Sequence, residues 1–281
     1  VERIYPLRPL QQGMLFHELS TPEAPPYFRQ VSFTIDGAFD PAFCEATWNR
    51  LMERHELLRS AFDYETTSQP LQIVLKRQTV EFGFEDLEGA DAAARIQAWR
   101  SADERRGFDL RRDRLMRIQL FRLGPDRFEM IWSHPHILLD GWSGAILLDE
   151  FARIYAAARS GRAPDLPAPP DPGDYLAALA DRDPAATRRH WATLLAEYDE
   201  LATLPRPAHR RARPQPAMHR FRIGERETAA AVALAMRSGV TLGTVLQALW
   251  GILLGRWVDR RDVVFGTVVS VSPGTGAQFA I

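Results

Sequence analysis

The stretch that decides the fold spans residues 115–143 and reads LMRIQLFRLGPDRFEMIWSHPHILLDGWS. Its first part, Leu115–Arg122, alternates apolar and polar side chains, which is the pattern of a strand. A Gly-Pro-Asp turn follows at residues 124–126, and Phe128–Trp132 has the composition of a second strand. The sequence therefore predicts a β-hairpin that leads through a polar segment into a helix from about Ser143 to Ala158. Functional sites are often built where a polar segment joins a strand to a helix.

The residues before this hairpin predict further helices and strands. Asp40-Pro41 opens a helix, because aspartate is a good N-cap and proline is tolerated in the first turn. The other expected elements are a helix from Pro9, strands at residues 27–36, 71–75 and 80–84, and a helix over residues 90–106.

A proline-rich segment, residues 164–173, is predicted to link two parts of the chain, residues 1–163 and 174–281. The second part is expected to begin with two helices within residues 174–201, separated at Asp183-Pro184. A strand at residues 218–223, helices at 225–238 and 242–257, and a β segment at 263–269 complete the prediction.

Composition excludes several classes of protein. The 281 residues carry 35 basic and 36 acidic side chains, so there is no general electrostatic attraction to nucleic acid or to an anionic membrane. No stretch reaches the roughly 18 consecutive apolar residues of a membrane-spanning helix, and no signal-peptide pattern is found. The single cysteine, Cys44, cannot form an intrachain disulfide and is predicted to be a small buried residue. We therefore expect a cytoplasmic protein with neither a nucleic-acid nor a membrane partner.

The acid–base groups concentrate in one place, where His136, Asp140 and Gly141 form the pattern His-x-x-x-Asp-Gly. An imidazole exchanges protons near neutral pH and could therefore take the proton of a nucleophile. Asp140 lies between apolar residues and is expected to be partly buried and paired with a cation, for which arginine has the best geometry. Gly141 would allow a sharp turn and a close approach of substrate to the backbone.

Other interpretations of the same residues are open. A structural histidine followed by a helix-capping aspartate is the more common meaning of an isolated His-x-x-x-Asp pattern. A metal site is disfavoured because no third ligand lies at a useful spacing. A serine triad is disfavoured as well, because Ser133 and Ser143 lack a Gly-x-Ser-x-Gly elbow.

The neighbouring residues favour a functional meaning. Residues 133–143 resemble the active-site motif of non-ribosomal peptide synthetase condensation domains, His-His-x-x-x-Asp-Gly, including the Trp-Ser that often follows. Residues 5–16 resemble the first motif of that family and residues 54–62 the second, in the same order and at similar spacing. Weaker agreements lie at residues 174–176 with Trp191, and at residues 263–270.

The resemblance implies a mixed α/β (α+β) fold like that of chloramphenicol acetyltransferase, in which two lobes face each other across a tunnel. A complete first lobe and a partial second lobe would be present. It also implies donor and acceptor peptidyl carrier proteins as partners, each presenting a thioester on a phosphopantetheine arm, with adenylation domains as neighbours. The implied reaction is peptide-bond formation, and no covalently bound cofactor or metal is expected.

By position in the motifs, His136 matches the catalytic histidine, and Gly141 the glycine that lines the tunnel. Asp140 matches a structural aspartate and Arg59 the arginine thought to pair with it, so a salt bridge between the two is predicted. The residues His134, Trp142 and Ser143 are expected to support the site.

The chain departs from the family pattern at three points. Pro135 stands where the family has its first histidine, and His134 is not expected to replace it, because adjacent strand residues face opposite ways. The Gly-Arg-Pro that normally follows Ser270 is absent, and residues 174–281 are fewer than the family's second lobe.

The resemblance also indicates a subtype of condensation domain, and it leaves two alternative functions open. Residues 5–17 and 138–143 look more like the subtype that accepts a donor ending in a D-residue. A carrier-dependent acyltransferase of the same fold, making esters or transferring a fatty acyl group, is the alternative enzyme. A catalytically impaired fragment that keeps the fold and a carrier-docking face is the alternative without activity.

Overall fold

The chain divides into two units, one that includes Val1–Ala180 and a second formed by Asp181–Val271. The computed structural model describes residues 1–21, 26–89, 91–174, 177, 183–198 and 219–267. The predicted boundary at the proline-rich segment stays a prediction. Within the first unit, Leu166 of that segment packs on the hydrophobic core, and the carbonyl oxygen of Asp165 accepts a hydrogen bond from Arg153.

Two sheets form the framework of the first unit. In chain order the strands are β1 (Arg3–Pro6), β2 (Phe28–Asp36), β3 (Ser60–Asp63), β4 (Leu71–Val74), β5 (Glu81–Asp86), β6 (Arg117–Gly124) and β7 (Arg127–Pro135). The smaller sheet has the order β1-β4-β3 and is antiparallel. The larger has the order β2-β7-β6-β5, in which only the β5–β6 pair is parallel. The predicted hairpin is therefore the centre of the larger sheet.

Five of the seven described α-helices begin after an aspartate or a threonine whose side chain caps them. The seven are α1 (Pro9–Ser20), α2 (Pro41–Arg54), α3 (Ala92–Arg106), α4 (Gly141–Arg159), α5 (Pro184–Leu194), α6 (Glu225–Ser238) and α7 (Leu242–Val258), with a 3₁₀ helix at Glu56–Arg59. The Asp40 carboxylate accepts hydrogen bonds from the backbone N–H groups of Ala42 and Phe43, at 2.7 and 3.3 Å. The predicted N-cap of α2 is confirmed, whereas α4 starts two residues earlier than predicted.

Both faces of the β6–β7 hairpin are buried. Ile118 pairs with Trp132 and Leu120 with Met130, and these four side chains belong to the main core together with residues of α2 and α4. The alternate residues, Phe121 on β6 and Ile131 on β7, pack against Ile96 and Trp99 of α3 on the other face. Helix α3 is the crossover that a parallel β5–β6 pair requires.

Aromatic contacts join the hairpin to its helices. The ring of Trp48 on α2 lies 5.1 Å from the ring of Trp132 and 5.0 Å from that of Phe151 on α4, between centroids. Cys44, one turn earlier on α2, is fully buried, and burial raises the pKa of its thiol to about 12. The prediction that Cys44 is a small buried residue is confirmed.

A buried ion pair fastens α3 to the opposite face of the sheet. The Asp103 carboxylate lies 2.8 Å from Nε of Arg117, and the two side chains are 4% and 2% exposed. Asp103 also accepts hydrogen bonds from Ser133 Oγ at 2.5 Å and from Gln30 Nε2 at 3.0 Å. The Arg117 guanidinium lies over the ring of Phe108, 3.8 Å from its centroid, and burial lowers the pKa of this arginine.

The second unit is helical over the residues that the structure describes. Its helix α5 begins after the N-cap Asp183, as predicted. The strands predicted at residues 218–223 and 263–269 are not found in their described parts, residues 219–223 and 263–267, where the chain has no strand partner. An apolar segment forms a strand only when a neighbour takes up its backbone hydrogen bonds. The helix expected near residues 174–182 lies largely outside the described residues.

Within the described ranges, no helix is both long and apolar enough to cross a membrane alone. Helices α6 and α7 meet that test only as a pair, and their axes are bent by 105°.

The buried pair predicts a strong coupling between Asp103 and Arg117. Arg117→Met should lower the free energy of unfolding by about 3–5 kcal/mol, because it leaves a buried carboxylate without its cation. In urea denaturation, the double variant with Asp103→Asn should lose clearly less than the two single variants added together.

The matched control is the exposed pair Arg50–Glu53, whose side chains are 65% and 67% exposed. Arg50→Met should cost less than about 1 kcal/mol. A similarly small loss for Arg117→Met would contradict the coupling.

Candidate active site

The site forms where β7 ends. Pro135 is the last strand residue and pairs with Phe28, and the turn of residues 136–138 follows it. Proline has no N–H to donate to the ladder, and it is tolerated here because the pairing of the strand ends at this residue. The backbone N–H of His136 donates instead to the carbonyl oxygen of Tyr27 at 2.7 Å. The half-buried imidazole of His136 thus projects from a backbone held at the end of β7.

One hydrogen bond determines the tautomer of His136. Its Nδ1 lies 2.6 Å from the carbonyl oxygen of Leu139. A carbonyl oxygen only accepts, so Nδ1 must carry the proton, and in the neutral ring Nε2 carries a lone pair. None of the described residues forms a hydrogen bond with Nε2. The ring is arranged to accept a proton at Nε2.

Three consecutive apolar residues hold this turn in place. Ile137, Leu138 and Leu139 are 4%, 1% and 3% exposed, and all three belong to the main core. The Leu139 carbonyl therefore lies on a backbone segment anchored on both sides. No sequence pattern indicates which backbone carbonyl will accept from a histidine, which is why sequence reasoning missed Leu139 and Tyr27.

Asp140 caps α4, as in the structural interpretation of the motif. Its Oδ1 accepts hydrogen bonds from the backbone N–H and the Oγ–H of Ser143, both at 2.8 Å. The predicted salt bridge between Asp140 and Arg59 is wrong, and Asp140 is exposed rather than partly buried. The carboxylate satisfies the nearest orphan donors of the helix N-terminus, three residues away, and Ser143 is fully buried beneath it.

Arg59 has other partners. Its side chain is 7% exposed, and the guanidinium donates to the carbonyl oxygens of Met52 and Glu53 and to that of Leu75 at 3.0 Å. A fourth bond reaches the Glu2 carboxylate at 2.8 Å. Arg59 thus supplies donors and positive charge to the C-terminal end of α2 and binds the residue that follows β4.

Gly141 is the first residue of α4, and its backbone lies outside the region of positive φ. The expectation of a sharp turn at this glycine is therefore wrong. Apart from its two chain neighbours and the backbone of α4 itself, a Cβ added there would meet no described atom within 4 Å, so the space beside the helix is open at this point. Close approach of a substrate to Gly141 stays a prediction.

The two remaining site candidates lie on either side of His136. His134 is 6% exposed within β7, with its ring 4.9 Å from that of Trp132, and burial lowers its pKa to about 4. It is therefore uncharged at neutral pH and part of the wall of the core. Trp142, in the first turn of α4, is 62% exposed.

Comparison with known proteins decides the family. A condensation-domain model matches residues 1–279. The chain belongs to the condensation-domain family of non-ribosomal peptide synthetases.

This condensation domain is similar to parts of much longer synthetases. It is 36% identical over 278 residues to bacitracin synthase 3 of Bacillus licheniformis, covering 96% of this chain and 4% of that protein. It is 35% identical over 278 residues to gramicidin S synthase 2 of Brevibacillus brevis, covering 97% of this chain and 6% of the relative.

Solved structures show the same fold. The starter condensation domain of the rhizomide synthetase RzmA superposes with a TM-score of 0.75 at 22% identity, covering 99% of this chain and 64% of the solved one. For the first condensation domain of the CDA synthetase the TM-score is 0.72 at 23% identity, covering 93% and 63%. The predicted α/β fold, like that of chloramphenicol acetyltransferase, is confirmed.

The capping role of Asp140 predicts the cost of replacing it. Asp140→Ala should lower the free energy of unfolding of this condensation domain by about 1 kcal/mol, and Asp140→Asn by only a few tenths, because asparagine caps as well as aspartate. Asp40→Ala, at the same position of α2, is the matched control and should behave like Asp140→Ala. Losses of about 3–5 kcal/mol for both Asp140 variants would instead indicate a broken buried ion pair.

Burial of His134 predicts a loss of stability in acid. Below pH 6.5 an unfolded chain binds a proton on this histidine, whereas the folded chain excludes it until about pH 4. Lowering the pH from about 6.5 to about 4 should therefore destabilise the wild type by about 3 kcal/mol more than His134→Phe, as measured by urea denaturation.

The exposed His190 provides the control, and His190→Phe should follow the wild-type pH dependence. Parallel curves for the wild type and His134→Phe would show that His134 is freely protonated in the fold.

Proposed function

We propose that this condensation domain forms a peptide bond between two carrier-bound thioesters. The donor is an acyl or peptidyl thioester and the acceptor an aminoacyl thioester, each on the phosphopantetheine arm of a carrier protein. The observation that carries the proposal is the hydrogen bond of 2.6 Å between Nδ1 of His136 and the Leu139 carbonyl oxygen, which leaves the lone pair on Nε2. The names of its relatives, bacitracin synthase 3 and gramicidin S synthase 2, fit a role in peptide antibiotic synthesis.

In the proposed reaction, the acceptor amine attacks the carbonyl carbon of the donor thioester. A C–N bond forms, the C–S bond breaks, and the donor chain passes to the acceptor. Nε2 of His136 takes the proton lost by the amine and returns it to the departing thiolate, so the imidazole ends as it began. When the ring is transiently positive, the bond from Nδ1–H to the Leu139 carbonyl becomes charge-assisted and stronger.

In this proposal the other site residues hold or shape the site and transfer no proton. Asp140 and Ser143 hold the first turn of α4, and Gly141 gives the substrates open access to the backbone beside the turn. The uncharged ring of His134 supports the end of β7, and Trp142 offers an exposed aromatic surface. Arg59 contributes by holding the end of α2.

The proposal also covers the proteins and domains with which this domain works. Its partners are donor and acceptor peptidyl carrier proteins, with adenylation domains as neighbours in one cytoplasmic assembly. We propose a donor that ends in a D-residue, on the resemblance of residues 5–17 and 138–143 to that subtype.

Removal of the base tests the function. In an assay with two loaded carriers, His136→Ala should lower kcat by about 100- to 10,000-fold with KM for both carriers unchanged, because the proton acceptor is lost. His190→Ala is the matched control, since this exposed histidine of α5 lies outside the proposed site, and it should retain the wild-type rate.

The same assay separates the alternatives. Unchanged product formation by His136→Ala would overturn the role of His136. Faster reaction with a hydroxyacyl than with an aminoacyl acceptor would favour ester formation, and absence of product from the wild type with either acceptor would favour an impaired domain.

A further inference from the structure

A buried glutamine of α1 contacts the turn that carries the histidine. Gln11 is 4% exposed, and its Nε2 donates hydrogen bonds to the carbonyl oxygen of Ile137 at 3.2 Å and to Oε1 of Gln72 at 3.1 Å. Its Oε1 accepts from the backbone N–H and from Nε–H of Arg8, both at 3.1 Å. Both amide protons and both oxygen lone pairs of Gln11 are thus engaged.

The bonds beyond Gln11 continue in one direction. Nε2 of Gln72 donates to Oγ of Ser60 at 2.8 Å, and that hydroxyl donates to the carbonyl oxygen of Leu57 at 2.7 Å. Gln72 is 3% exposed and Ser60 is fully buried. Carbonyl oxygens lie at both ends of this row, so each side chain has one amide or hydroxyl orientation that satisfies its neighbours. Turning one amide over would leave buried groups without partners, which is costly.

The Ile137 carbonyl lies in the short backbone segment that sets the geometry of His136. Tyr27 holds the backbone N–H at the start of this segment, and the Leu139 carbonyl holds Nδ1 of the ring at its end. Rotation of the peptide after Ile137 would shift the Leu139 carbonyl relative to the ring. Gln11 opposes that rotation because it bonds directly to the Ile137 oxygen.

We propose that Gln11 is a positioning residue for His136, through its bond to the Ile137 carbonyl. It keeps Nδ1 on the Leu139 carbonyl and so keeps the lone pair at Nε2. The catalytic consequence rests on the proposed function, whereas the effect on the tautomer does not.

The test compares three glutamines: one that contacts the turn, one in the same buried row but away from the turn, and one that is exposed. Gln11→Met removes both donors and keeps the length of the side chain, and it should lower kcat of condensation by about 10- to 100-fold with KM unchanged, as expected for a displaced catalytic group. Gln72→Met breaks the same row away from the turn and should lower the Tm similarly while keeping kcat within about threefold of the wild type. Gln12→Met should change neither quantity, because Gln12 is exposed and, among the described residues, its side chain bonds only to the Leu7 carbonyl, at 2.8 Å.

A second readout needs no activity. The ¹⁵N signals of the His136 ring in the histidine-labelled domain should show a protonated Nδ1 and an unprotonated Nε2 in the wild type, Gln12→Met and Gln72→Met. In Gln11→Met they should shift towards a mixture of tautomers. Gln11→Glu, which has nearly the shape of glutamine and places a second acceptor oxygen at the Ile137 carbonyl, should give the same shift if Gln11→Met fails to fold.

Unchanged ring signals in the folded Gln11 variants would overturn the proposal, as would equal losses of kcat in Gln11→Met and Gln72→Met at matched Tm. A wild type that makes no product would count against the proposed function alone, because the ring signals still report on Gln11.

Discussion

Burial of both faces of the β6–β7 hairpin is the constraint on which the rest of the first unit depends. Trp132 and Met130 face α2 and α4, while Ile131 and Phe121 face α3, so a slip of one residue would put each apolar set against the wrong helices. It would also turn Arg117, the partner of Asp103 on α3, towards the main core. The register of β7 is therefore unique, and so is the point at which it ends. Because His136 follows that end directly, the position of its backbone is a consequence of core packing.

Buried charge reinforces the same arrangement from three sides. Asp103 and Arg117 tie α3 to the sheet, and Arg59 closes the end of α2. On α4, burial would raise the pKa of the Glu150 carboxyl, but hydrogen bonds from Arg54 and His55 outweigh it and the pKa is lowered. Each buried charge has its partners on another element. These contacts therefore fix the orientation of elements that hydrophobic packing alone brings together. Around His136 the contacts are of a different kind, since its backbone N–H and ring Nδ1 are both held by backbone carbonyls.

The motif and the structure disagree about one residue pair, and the reason is physical. Resemblance to the family pairs Asp140 with Arg59, yet Asp140 caps α4 and Arg59 caps α2. A carboxylate at a helix N-terminus meets unsatisfied N–H groups within three residues, and a guanidinium beside a helix C-terminus meets unsatisfied carbonyls. Asp140 is satisfied at the start of its own helix, whereas Arg59 takes its acceptors from α2, from Leu75 and from Glu2, so neither charge needs the other.

The sequence by itself determined the hairpin, the helix starts at Asp40 and Asp183, the burial of Cys44 and the family, because periodicity, capping residues and ordered motifs are local signals. It also singled out His136 as the candidate catalytic residue, and that role stays a prediction. It did not reveal strands β1 and β3, nor the absence of strands at residues 219–223 and 263–267, because a strand forms only beside a partner strand that its own residues do not specify. Only the tertiary structure decided the tautomer of His136 and the contact with Gln11, since both depend on backbone carbonyls, which every residue carries and no residue type marks.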